Sequence, residues 1–108
     1  MGEREMLELA AKSIGEQVVG ESAEGLLLYG IEEAWNPLHD DGQALRLAVE
    51  IGPLEFSISE YGTAVRKPNG RWSGCEAHLH GGKQAATRRA IVLAAAEIGA
   101  QQGKGEDK

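Results

Sequence analysis

LEFSISEYGTAVRKPNGRWSGCEAHL, residues 54–79, decides the fold class. Leu54, Phe56 and Ile58 alternate with Glu55, Ser57 and Ser59, the period-two pattern of a half-buried strand. Tyr61-Gly62 turns the chain, and a second strand is predicted over Thr63 to Lys67. Pro68-Asn69-Gly70 is a strong turn signal, and a third strand is predicted over Trp72 to Leu79. Three strands joined by tight turns make an antiparallel meander.

Helical patterns flank this meander. Leu7, Ala10, Ala11 and Ile14 recur at helical spacing, which predicts a helix over residues 3–15 with Glu3 and Glu5 at its positive end. Val18-Val19 and Gly25 to Ile31 read as a hairpin with a weak first strand. Trp35-Asn36-Pro37-Leu38-His39-Asp40-Asp41-Gly42 is a turn leading into a second helix. Pro37 disfavours helix at Asn36, and Asp40 or Asp41 can cap the helix through its carboxylate. Ala44, Leu45, Leu47, Ala48 and Ile51 form its apolar stripe, and Gly52-Pro53 ends it. Gly81-Gly82 precedes a long Ala-rich helix from Lys83 to Gly99, whose Thr87, Ile91, Ala94 and Ile98 share a face. The expected fold is α+β: an antiparallel sheet of the meander plus one or two N-terminal strands, with helices packed on one face. Residues 1–100 make a single domain, and the polar tail 101–108 is expected to be disordered.

Composition narrows the functional classes. The 108 residues carry 42% apolar but only 5% aromatic side chains, so Leu, Ile, Val and Ala must build the core. The lone Cys75 excludes an internal disulfide framework. No apolar run is long enough to span a membrane, and the charged Met1 to Met6 segment lacks a signal core. A soluble cytoplasmic protein is expected. The net charge is −6, unevenly distributed. Residues 1–60 hold thirteen acidic and three basic side chains, whereas residues 61–108 hold four and eight. Such polarity gives an acidic and a basic face, unless folding intermixes the halves.

Three constellations are candidates for chemistry. Cys75, His78 and His80 are the only metal-like cluster. His78 and His80 share a strand face, but Cys75 is odd-spaced from both and needs a bulge to join them. Four ligands at fixed spacing are lacking, so no metal or other cofactor is expected, and no catalytic residue is assigned. Trp35, His39, Asp40 and Asp41 form a corner that can anchor a partner if Trp35 is exposed. Lys83, Arg88 and Arg89, with Arg66, Lys67 and Arg71, are the candidate contacts to nucleic acid. Their setting is similar to the end of a double-stranded RNA-binding domain: a meander, a glycine step and a helix. That family's helix begins with a dense lysine cluster, and here only Lys83 stands in place.

The Trp35-Asn36-Pro37-Leu38, Asp41-Gly42 and Ala44 to Val49 block resembles small proteins of tailed phages and prophages, a group similar to the NinX-like domain of unknown function. A second block, Ala85 to Val92 continuing through Ala94 to Gly99, shares the resemblance. The resemblance implies an accessory protein in a bacterial host, with no catalytic residues to carry over. The expected function is a protein–protein interaction, modulating host defence or mimicking nucleic acid through the acidic half. Nucleic-acid binding through the basic residues is the alternative. A sheet edge or the Ala-rich helix can also support a homodimer.

Overall fold

A computed structural model describes residues 2–76 and 81–106, with side chains over 2–74 and 81–101. The element order is α1 (Glu3–Ser13), β1 (Val18–Ser22), β2 (Gly25–Leu28), α2 (Asp41–Glu50), β3 (Glu55–Ser59), β4 (Gly62–Arg66), β5 (Trp72–Glu76) and α3 (Lys83–Glu106). The fold is α+β, with both sheets antiparallel.

The helix α3 is the spine. Its 24 residues span about 36 Å at the usual helical rise. Helices α1 and α2 and strands β4 and β5 all pack against it. Its alanines explain the closeness. Ala86, Ala90, Ala94, Ala95 and Ala96 are fully buried, and none of them holds a neighbour at a distance. At the α1–α3 crossing the approach is closer still, because Gly99 lies against the Leu9 carbonyl. The main core joins Met6, Leu7, Ala10 and Ala11 of α1 to Leu26 and Leu28 of β2, Leu47 of α2, and Val92 and Ala96 of α3. A smaller cluster, Val65 with Ala90 and Ala94, fixes β4 to α3.

Residues 101–106, assigned to the tail from the sequence, continue α3. Gly99 does not end the helix. Helix propagation costs far less than nucleation, so a 24-residue helix carries through Gly99, Gly103 and Gly105. The N-terminal strands also depart from expectation. They do not extend the meander but form a separate two-stranded sheet. Its partner is the chain just before α2: Leu26 and Trp35 exchange both backbone hydrogen bonds, at 3.0 and 2.8 Å. Gly25 is required there, since a Cβ would lie 2.6 Å from the Trp35 carbonyl oxygen.

The β1–β2 and β3–β4 hairpins use one turn device. In Ser22-Ala23-Glu24-Gly25 and in Ser59-Glu60-Tyr61-Gly62, the serine hydroxyl accepts from the amide two residues on and donates to the glycine carbonyl. Both are two-residue loops that set the register of the strands they join. In the meander, Ser59 pairs with Gly62, Ile58 with Thr63, Phe56 with Val65 and Glu55 with Arg66, with no shift along the ladder. Strand β4 lies in the centre and β3 at one edge.

Candidate functional site

The alternation of Leu54, Phe56 and Ile58 predicts a half-buried strand, and Leu54, just before β3, is half-buried against both core clusters. The structure leaves the whole of β3 exposed, with Phe56 at 43% and Ile58 at 54%. The cause is the path of α3. It crosses β4 and β5, burying Val65 completely and joining Thr63 Oγ1 to Thr87 Oγ1 at 2.8 Å. Strand β3 overhangs that helix. Phe56 and Ile58 lie opposite Val65 and Thr63, so they share the helix-facing side of the sheet without a helix above them.

Helix α2 borders the same gap. Ala44, Leu47 and Ala48 face the core as the sequence suggests, but Leu45 is 65% exposed and Val49 is 72% exposed. These two lie four apart and therefore on one face. The helix is thus apolar on two sides, and only one side is covered. Between them, α2, β3 and the first turns of α3 enclose an open groove of about 800 Å³. Leu45, Ala48, Val49, Leu54, Phe56 and Ile58 form its apolar lining, and Ile91 is at its base. Its charged rim is Asp41, Lys83 and Arg88. Arg88 Nη1 donates to Asp41 Oδ1 at 2.7 Å, and Arg88 Nε donates to the Leu38 carbonyl at 2.9 Å. Two of the three rim charges therefore neutralise each other.

The corner singled out from the sequence is put to structural use. Trp35 is 8% exposed and belongs to the core beside Leu26 and Leu38, so it does not project as a partner anchor. Asp40 is the α2 cap, accepting from the Gln43 amide at 2.8 Å. Asp41 holds Arg88. His39 is exposed and lines a second, acidic cleft with Glu24, Glu32, Glu33 and Asp40. Gln43, which the sequence reading passed over, organises this junction. Its Oε1 accepts from the Asn36 amide at 2.5 Å and its Nε2 donates to the Ala34 carbonyl at 3.1 Å.

Four of the six basic candidates are held in ion pairs. Lys67 is buried, with its ammonium on Glu97 Oε1, and Ser73 Oγ donates to the same oxygen. Partial burial pushes the Glu97 carboxyl up. The hydrogen bonds from Lys67 and Ser73, together with the Lys67 charge, outweigh it and hold the pKa below the usual carboxylate value. Arg66 pairs with Glu55 at 2.8 Å, and Arg89 reaches Glu3 at 3.7 Å. Folding thus sets Arg66, Arg88 and Arg89 of the basic half against Glu55, Asp41 and Glu3 of the acidic half. Lys83 and Arg71 are exposed. The His78 and His80 positions lie outside the described residues, as does the side chain of Cys75, whose backbone pairs with Thr63. Among the described residues, no group of three or more His, Cys, Asp or Glu side chains is placed to hold a metal ion. Among them too, no helix is long and apolar enough to cross a membrane.

No known protein family, curated protein or solved structure matches this chain.

Proposed function

We propose that the protein works by protein–protein contact through the α2–β3 groove. One observation carries this reading. Leu45, Val49, Phe56 and Ile58 are large apolar side chains, exposed, and contiguous around a single concavity. Scattered exposed apolar residues are ordinary, but a contiguous apolar patch with a polar rim marks an interaction surface. The pairing of basic side chains with carboxylates favours this over binding to nucleic acid, because phosphate contacts need unpaired cations. The resemblance to phage accessory proteins supports a bacterial cytoplasm as the setting.

The test is site-specific photocrosslinking in living bacterial cells. The full chain is expressed with p-benzoylphenylalanine in place of Leu45, and separately in place of Tyr29, an exposed residue of the loop after β2. Adducts to a polypeptide are expected from position 45 and not from position 29. Equal yields from both, or none from position 45, refute the reading.

A further inference from the structure

We infer that the occupant of this groove is a second copy of the same chain, seated by antiparallel pairing of β3 with β3. The inference rests on the groove being a protein-binding surface. It adds the partner and the register.

The outer edge of β3 is unpaired among the described residues. A two-residue hairpin closes with a hydrogen-bonded pair, here Ser59 with Gly62. Bonded and non-bonded pairs then alternate along an antiparallel ladder. Ser57 and Glu55 spend their backbone groups on β4, and Phe56 and Ile58 turn theirs outward. The residues with the free backbone edge are therefore the residues with the uncovered apolar side chains. Natural edge strands are guarded by lysine, proline or a bulge. Residues 55–59 contain neither residue, and the register of β3 runs without a bulge.

Charge and register along β3 are self-complementary. A two-fold axis normal to the sheet, midway between the two Ser57 residues, sets Phe56 against Ile58 of the partner subunit and Ser57 against its own equivalent. Those are the positions whose backbone groups face outward, so the hydrogen bonds close. The same register sets Glu55 against a serine rather than a carboxylate, and Arg66 already neutralises Glu55 within its own chain. On a chain of net charge −6, this strand edge meets itself without like-charge contact.

The helix beside the strand is covered by the same operation. An axis normal to the sheet keeps both helical layers on one face of a continuous six-stranded sheet. The two α2 helices then approach each other across the axis, with Leu45 and Val49 between them. Strand edge, strand face and helix face are covered by one operation. Stable interfaces draw on about 20–30 residues per partner. The fourteen groove-lining residues, with Glu55, Ser57 and Ser59 of the strand, fall just short of that range, so a weak dimer of about micromolar affinity is expected.

Sedimentation velocity of the full chain tests this, from low micromolar to about millimolar concentration. The expected result is a concentration-dependent shift from 11.5 kDa to twice that mass. Ile58→Lys puts a charge on the pairing edge and is expected to remain monomeric, with an unchanged far-ultraviolet circular dichroism spectrum. Tyr29→Lys, in the loop after β2, is expected to dimerise as the parent does. A parent chain that stays monomeric throughout overturns the proposal, as does an Ile58→Lys variant that dimerises equally well. The position-45 crosslink separates the two readings. An adduct of twice the chain mass supports self-pairing. An adduct to a different polypeptide overturns self-pairing and leaves the groove as an interaction surface. No adduct removes both.

Discussion

Replacing Gly99 with alanine reverses the usual sign of a glycine-to-alanine change in a helix. In an ordinary helix interior, alanine is more stable than glycine by about 1 kcal/mol. At Gly99 the new Cβ would lie 2.0 Å from the Leu9 carbonyl oxygen and 2.9 Å from its carbon. Carbon–oxygen contacts settle at about 3.3 Å, so α1 must retreat by roughly 1.3 Å. Both clashing atoms are backbone, and no side-chain rotation relieves them. The retreat loosens Met6, Leu7, Ala10 and Ala11 against Val92, Ala95 and Ala96, nearly half of the main core. Overpacking of this kind costs about 3 kcal/mol at its upper end. After the helix-propensity gain, a net loss of about 2 kcal/mol remains, from a total that for a domain this size is about 5–15 kcal/mol. Thermal unfolding followed by far-ultraviolet circular dichroism should show a midpoint about 10 °C lower. A Gly99→Ala protein as stable as the parent, or more so, would refute the α1–α3 crossing described here.

The remaining predictions concern the buried pair, the cap and the groove. Glu97→Gln leaves the Lys67 ammonium buried without its counter-ion and should cost about 1–2 kcal/mol by urea unfolding, a modest figure because Glu97 is itself partly exposed. Lys67→Met removes the buried charge altogether and should stay within about 1 kcal/mol of the parent. The folded-state pKa of Glu97 is depressed, so its contribution is fully present above the unfolded carboxylate pKa and is lost as pH falls through the folded value. The stability difference between parent and Glu97→Gln should therefore shrink on acidification across that window, and a difference constant with pH would contradict the assignment. Asp40→Ala should cost about 1 kcal/mol through loss of the α2 cap, whereas Asp41→Ala, on an exposed carboxylate, should cost under about 0.5 kcal/mol. Ile58→Lys should change monomer stability by less than about 0.5 kcal/mol, because no helix covers that position; a large loss would show that β3 is buried after all.

Much of the local structure is legible in the chain. An aspartate cap for α2 follows from Asp40-Asp41 ahead of an apolar-periodic run, with the structure choosing Asp40, and the meander follows from alternation broken by Tyr61-Gly62 and Pro68-Asn69-Gly70. What covers each face is not legible in the same way. Period-two alternation says that Phe56 and Ile58 share a side, but only the course of α3 decides that β4 is covered and β3 is not. Trp35 is buried through a bridge to Leu26, and Lys67 through a carboxylate thirty residues further on. Both are long-range pairings that periodicity does not encode. One signal for the groove was present. Leu45 and Val49 make a second apolar stripe on α2, more than one buried face requires.

The central claim is that the outer edge of β3 is open in the single chain and closes against another. Hydrogen exchange at the Phe56 and Ile58 amides measures this most directly, read by NMR in dilute and in concentrated solution. Both amides should exchange rapidly in dilute protein, while those of Glu55 and Ser57, bonded to β4, are protected. On concentration, protection should appear at Phe56 and Ile58. Exchange at those two amides that is slow in dilute protein, or fast at every concentration, would contradict the account.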